Sequence, residues 1–109
     1  MVYIGSLKFD DEIKKAEGII VFGGGSMLPY LLKKMKQLNI AERIVAICDN
    51  NIAIQGKEVY GVPIMSPEFV CENYREFDFI VYNQYYMEIC EQLHRNHIEK
   101  IHLIRSGSI

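Results

Sequence analysis

Hydrophobic and polar positions along this chain follow two alternating patterns. In the first, β-branched and aromatic residues form unbroken runs bounded by glycine or polar residues, which is typical of strands buried on both faces. The run "GIIVFG" is the clearest example. The strands predicted from such runs cover residues 18–23, 43–49, 77–83 and 100–104.

In the second pattern, apolar residues recur every three or four positions, which predicts amphipathic helices. Residues 26–39 carry leucines on one side and lysines on the other, with Ser26 as the predicted N-cap and Pro29 in the first turn. Residues 10–17 carry acids before lysines, an order that favours a short leading helix ending at Gly18.

Two further helices are predicted in the second half of the chain. One begins at Ser66, which can cap it, with Pro67 at the first helical position. The other covers 86–97, and its predicted core side consists of Met87, Ile89 or Cys90, and Leu93. The segment before Ser66 is rich in glycine, proline and asparagine, which predicts a loop with a small extended stretch at 59–64.

Strands that alternate with helices predict an α/β fold, here a Rossmann-like three-layer α/β/α domain with a four-stranded parallel sheet and a leading N-terminal helix. We expect the strand order 2-1-3-4, and the order 3-2-1-4 is the alternative. In either order, ligands bind at the carboxyl ends of the strands, near the point where the winding direction reverses.

Composition narrows the classes of protein that the chain can represent. With 109 residues it is long enough for one domain, 1–109, and too short for separate cofactor and catalytic domains. A net charge of −2 without a basic cluster disfavours binding to nucleic acid. The apolar runs are far shorter than the roughly 20 residues that span a bilayer. We therefore expect a cytoplasmic protein with no membrane span.

The cysteines and histidines do not form a recognised metal motif. Cys48 and Cys71 fall in segments predicted as strand or helix and lack C-x-x-C spacing, which favours reduced, packed thiols. Cys90, His94 and His97 share a helical face, but at the charged end of that helix surface histidines are commonplace. We therefore predict no metal site.

The candidate site residues follow three of the predicted strands. The glycines after the first strand let the backbone turn tightly toward an anion, and the next helix directs free amides at it. The acid after the second strand is placed to accept hydrogen bonds from a ribose diol. These residues are Gly23, Gly24, Gly25, Ser26, Asp49, Asn50 and Asn83.

The glycine-rich turn and Asp49 can each have a purely structural role. A glycine-rich turn between a strand and a helix can be only a tight turn. Asp49, followed by two asparagines, can instead bond its own backbone two residues further on.

Several segments together resemble the small Rossmann-like domain at the front of glycan-assembly proteins. The resemblance lies in "IIVFGGGSM", "VAICDNN", "QGKEVYGVPIMSPE" and "FDFIVYN", and covers about 17–104. Similar domains are the amino-terminal domain of sugar acyltransferases and the CoA-binding-like domain of nucleotide-sugar epimerases and dehydratases.

This resemblance implies a nucleotide-sugar-binding module of a larger protein of polysaccharide biosynthesis. A UDP-sugar is its favoured ligand, with NAD(P) or CoA as alternatives, and Lys57 is implied as a charge partner for the ligand. The resemblance is compatible with a catalytic domain, linked or separate, and with a homo-oligomer.

Leu28 stands where the dinucleotide fingerprint has its third glycine, which predicts a weaker fit for NAD. The chain displays no complete catalytic set, so whether it is an enzyme stays open. Three functions follow: a nucleotide or nucleotide-sugar-binding domain, a non-catalytic domain that docks a methyltransferase or glycosyltransferase, and an NAD(P)-binding domain of a sugar epimerase or dehydratase.

Overall fold

A computed structural model describes the chain at residues 2–5 and 11–104. Within these residues the structure has seven strands and four α-helices. The strands are β1 Val2–Gly5, β2 Ile19–Phe22, β3 Ile44–Cys48, β4 Glu58–Val59, β5 Val62–Met65, β6 Asp78–Val81 and β7 Ile101–Ile104. The helices are α1 Asp11–Lys14, α2 Leu28–Gln37, α3 Pro67–Asn73 and α4 Tyr86–Arg95, with a short 3-10 helix at Ala41–Arg43.

The strands lie in the order β1-β7-β6-β2-β3-β5-β4, and every pairing except β4 with β5 is parallel. The α/β class is confirmed. The four predicted strands are β2, β3, β6 and β7, and they lie in the order 2-1-3-4 rather than 3-2-1-4. The prediction of a four-stranded sheet is wrong, because β5 extends it beyond β3 and β1 extends it beyond β7.

The additional strand β5 lies in the segment predicted as a loop with a small extended stretch. Pro63 interrupts its apolar pattern, so the sequence gives a weak strand signal there. In the structure β5 pairs with β3 through Ile47 and Ile64, and with the two-residue β4 on its outer side. A proline is tolerated at this edge because few ladder hydrogen bonds depend on it.

Helices cover both faces of the sheet, as the predicted three layers require. Alternate residues of each strand point to opposite faces, so Val21 packs in the core on one side and Phe22 in the core on the other. The first core contains α1 and α2, and the second contains α3 and α4.

Two predicted helix starts have different outcomes. Ser66 caps α3 as expected, since its side-chain oxygen accepts a hydrogen bond from the Phe69 N–H at 3.2 Å. The prediction that Ser26 caps α2 is wrong. The Leu28 N–H donates to the Gly25 carbonyl and closes a turn before the helix. The N-cap is therefore Met27, whose side chain makes no capping hydrogen bond.

The core side of α4 differs from the prediction at one position. Ile89 and Leu93 are buried, whereas Met87 is 69% exposed, so its assignment to the core is wrong. Met87 lies in the first turn of α4, at the carboxyl edge of the sheet, where the neighbouring layer does not cover it.

Gly18 contacts an aromatic ring, and this contact yields a stability prediction. A Cβ atom at Gly18 would lie 2.9 Å from ring carbons of Phe77, whose ring stacks on Tyr74 with centroids 5.5 Å apart. We expect Gly18→Ala to lower the free energy of unfolding by about 2 kcal/mol, because the stacked ring must move. Denaturant unfolding of Gly18→Ala with and without Phe77→Leu measures the effect. A loss that Phe77→Leu does not reduce would contradict a steric cause.

Candidate functional site

A cleft opens at the carboxyl end of β2, where the chain continues to β3 on one side and later to β6 on the other. This reversal is the place where open α/β sheets bind ligands. The cleft has a volume of about 430 Å³, within the range of small-molecule sites. Its lining comes from three parts of the chain: Phe22–Leu28 without Gly24, then Asp49 and Asn50, and finally Tyr82–Tyr85 together with Glu88, Ile89 and Gln92 of α4.

The turn after β2 requires glycine at its first position. Gly23 has a φ of 117°, which L side chains rarely adopt, and its N–H donates to the Cys48 carbonyl at 2.8 Å. A Cβ there would lie 2.8 Å from Nδ2 of Asn83. Gly23 therefore permits both the turn and the close approach of the segment that follows β6.

The amino end of α2 is open toward the cleft. Gly25, Ser26 and Met27 line the cleft, and among the described residues their backbone N–H groups have no hydrogen-bond acceptor. A Cβ at Gly25 would meet no atom within 4 Å, so space remains beside these amides. Unsatisfied amides and the helix dipole together make this end of α2 suited to an anion.

Asp49 connects the two turns that form the cleft floor. Its Oδ2 accepts from the Gly24 N–H at 2.8 Å, and its Oδ1 accepts from the Asn51 N–H at 2.8 Å. The second hydrogen bond forms the local turn that the sequence offered as the structural alternative to a ligand-binding role for Asp49. Each carboxylate oxygen retains a further lone pair, so these bonds do not exclude a ribose hydroxyl as an additional donor.

Asn50 takes part in a contact across the cleft that no sequence pattern predicts. Its Nδ2 donates to Oε1 of Gln92 at 2.9 Å, and Nε2 of Gln92 donates to Oδ1 of Asn50 at 3.0 Å. This reciprocal amide pair joins the loop after β3 to α4, between residues 42 positions apart. Both side chains line the cleft.

Six of the eight sequence candidates line the cleft, and two do not. Gly24 lies behind it, with its N–H bound to Asp49. Lys57 is exposed in the turn before β4 and does not line the cleft, so the structure does not place it as a charge partner for a ligand. Its backbone serves the hairpin instead, since the Lys57 carbonyl accepts from the Ile64 N–H.

Sequence reasoning did not identify the contribution of α4 to the cleft. Glu88 and Gln92 line it together with Ile89. Glu88 and Gln92 are four residues apart, so the sequence could have shown that they share one face of a helix. That this face lines the cleft depends on the position of the start of α4, close to Asn83, which the sequence does not give. Of the described residues that line the cleft, Asp49 and Glu88 are charged, and both are acidic.

The cysteines have the properties of packed thiols. Cys48 and Cys71 are buried, and all three cysteines are free. Burial raises the pKa of the Cys48 thiol, and the neighbouring Cys71, Asp49 and Glu68 raise it further. Burial likewise raises the pKa values of the Cys71 and Cys90 thiols. Because the thiolate is the nucleophilic form, these shifts disfavour nucleophilic chemistry.

Neither a metal cluster nor a membrane-spanning helix is present among the described residues. No group of three or more histidine, cysteine or acidic side chains is placed to hold a metal ion in residues 11–104. None of the helices described there has the length and apolar character needed to cross a membrane.

The family of the chain follows from a family model that matches residues 15–104, described as C2185-like, N-terminal. The match covers most of the chain, and the chain therefore belongs to this family. No curated protein matches it.

Two solved structures show the same fold. One is the crystal structure of RSP, a Rex-family repressor, with a TM-score of 0.63 and 18% identity over 88% of this chain and 51% of that one. The other is RSP in complex with beta-NADH, with a TM-score of 0.59 and 17% identity over 84% and 50%. This chain thus spans about half the length of those repressor chains.

These comparisons correct the resemblance drawn from the sequence. The matching family is not that of the sugar acyltransferases, and the structural neighbours are repressors rather than epimerases or dehydratases. Assignment to polysaccharide biosynthesis is therefore wrong. The quoted segments reflect a glycine turn, an Asp-Asn turn and a proline-containing edge strand, features that different α/β proteins share for structural reasons.

Proposed function

We propose that this domain binds an adenine dinucleotide of the NAD(H) type in the cleft at the carboxyl end of β2. The observation that carries the proposal is the amino end of α2, where Gly25, Ser26 and Met27 line the cleft and their N–H groups have no acceptor among the described residues. A diphosphate there would accept hydrogen bonds from these amides and interact favourably with the helix dipole.

The position of Asp49 supports a dinucleotide with free ribose hydroxyls. Asp49 follows β3, the strand next to β2, and its carboxylate lines the cleft beside the glycine turn. A carboxylate at this point accepts hydrogen bonds from a ribose 2′-hydroxyl, whereas a 2′-phosphate is usually met by arginine. Among the described residues that line the cleft there is no arginine or lysine, which favours NAD(H) over NADP(H).

The solved neighbours support the same class of ligand. RSP adopts this fold and has been crystallised with NADH. Leu28 contributes to the cleft lining but is only 4% exposed and packs in the first core, so it leaves the cleft open to a ligand and does not weigh against the proposal.

A docking domain without a ligand is the second candidate. Tyr85, Tyr86 and Met87 form an exposed apolar patch at the start of α4, as that candidate requires. The glycine turn is open rather than occluded, however, and an open turn favours ligand binding.

A charge change at Gly25 tests the proposal. Gly25→Asp places a carboxylate beside the free amides, where it would occupy them and repel phosphate, whereas Gly25→Asn adds a neutral side chain of similar size. We expect Gly25→Asp to bind NADH at least tenfold more weakly than Gly25→Asn, since two like charges near a protein surface repel by about 1–4 kcal/mol at 4 Å. Titration calorimetry with NADH measures both affinities.

Thermal unfolding shows whether each variant remains folded. Space at Gly25 is sufficient for a side chain, so both variants should unfold within a few degrees of the unmodified protein. Equal NADH affinities in the two variants, or no NADH binding by the unmodified protein at millimolar concentration, would refute the proposal.

A further inference from the structure

The reciprocal amide pair of Asn50 and Gln92 is a chemical feature that phosphate and ribose binding do not use. Both side chains line the cleft, and each spends one N–H group and one oxygen lone pair on the other. Each amide therefore keeps a second N–H and a second lone pair. The two hydrogen bonds close a ring, so each outer edge of the pair presents one donor beside one acceptor.

From this pair we infer that Asn50 and Gln92 form the base-recognition subsite of the cleft and select adenine; the inference rests on the proposed function. Adenine presents an N–H donor at its 6-amino group beside a ring-nitrogen acceptor. That pattern is complementary to either outer edge of the amide pair, so the recognition does not depend on which edge faces the ligand.

The order of groups along the cleft agrees with the order of groups in an adenine dinucleotide. The amides at the start of α2 can hold phosphate, and Asp49 on the neighbouring strand is placed for ribose. Asn50 comes one residue later and lines the same cleft, which puts its side chain next to the ribose position. Tyr85, which is 61% exposed, lines the same cleft and offers a ring on which the base can stack.

The chemistry of the pair also predicts which base is rejected. In 1,N6-ethenoadenine, an etheno bridge joins the 6-amino nitrogen to the neighbouring ring nitrogen, so that nitrogen carries no N–H and the acceptor of the amide pair stays unmatched whichever way the two amides are turned. The altered base therefore makes fewer hydrogen bonds with the amide pair than adenine does. Its affinity is lower because polar groups of the site are left without partners.

The test compares NADH with its 1,N6-etheno analogue, in which the adenine lacks the 6-amino N–H donor. We expect the unmodified protein to bind NADH about tenfold more tightly, the discrimination typical of one good bidentate pair. In Gln92→Leu the ratio of the two affinities should fall to near one. Gln37→Leu, an exposed glutamine of α2 outside the cleft, is the matched control and should keep the ratio.

Asn50→Ala is a second variant that removes the other half of the pair, and it should lower the ratio in the same way. Both substitutions affect partly or fully exposed side chains, so the fold should be retained. A ratio near one in the unmodified protein, or an unchanged ratio in both variants, would overturn the base subsite while leaving dinucleotide binding in place. Absence of binding by either dinucleotide would overturn the proposed function and the subsite with it.

Discussion

Replacement of Gly23 by alanine is expected to lower the free energy of unfolding by about 3 kcal/mol, the largest effect that we expect from a single methyl group in this domain. Two physical causes add at this position. The φ of 117° is one that alanine rarely adopts, and the new Cβ would lie 2.8 Å from Nδ2 of Asn83. Urea unfolding followed by circular dichroism measures the change.

A matched glycine in the same turn is the control. Gly25 has ample space and no positive φ, so Gly25→Ala should change the free energy of unfolding by less than about 0.5 kcal/mol. The two causes at Gly23 can be separated with Asn83→Ala, which removes the clashing amide but not the backbone strain. If the clash dominates, the double variant should be more stable than the sum of the single effects predicts. A Gly23→Ala protein as stable as Gly25→Ala would contradict both causes.

Asp78→Ala is expected to cost about 3 kcal/mol, because it breaks a polar pair inside the core. Asp78 begins β6, and its Oδ2 lies 2.7 Å from Nε2 of His102 in β7. The His102 side chain is 0% exposed and that of Asp78 is 11% exposed. Loss of the carboxylate therefore deprives the histidine of this hydrogen bond at a place that water barely reaches.

Two variants calibrate the Asp78 experiment under the same denaturant conditions. Asp78→Asn keeps a polar side chain that can still hydrogen-bond one ring nitrogen of His102, so it should lose less stability than Asp78→Ala. Asp11→Ala removes a carboxylate from an exposed pair with Lys14 at 3.8 Å, which should cost less than about 0.5 kcal/mol. If Asp78→Ala were no more destabilised than Asp11→Ala, the buried pair would not contribute to stability.

The parts of the fold that could be predicted are those in which local pattern and burial coincide. Residues 19–22 are buried on both faces, and their unbroken apolar run predicted this directly. Ser66 and Pro67 predicted the start of α3 because a cap depends on neighbours only a few residues away. The sequence predicted only a small extended stretch at 59–64 and not a strand of the sheet, since pairing with β3 rather than its own pattern makes β5 a strand.

The candidate site was predicted in outline for a similar reason. Parallel strands place their carboxyl ends at one edge, so residues that follow β2, β3 and β6 had to approach each other. Gly23, Asp49 and Asn83 accordingly line one cleft. Lys57 was added by resemblance alone, and the hairpin of β4 and β5 holds it outside that cleft.

The sequence by itself determined the α/β class, the glycine turn after β2 and the acid at the end of β3, because each depends on residue types at short range. Only the tertiary structure decided that Asp49 connects two turns, that α2 begins after Ser26, and that Asn50 pairs with Gln92. These features depend on the distance between each helix end and the neighbouring loops. Packing across the whole sheet sets that distance, so it cannot be predicted from a local sequence pattern.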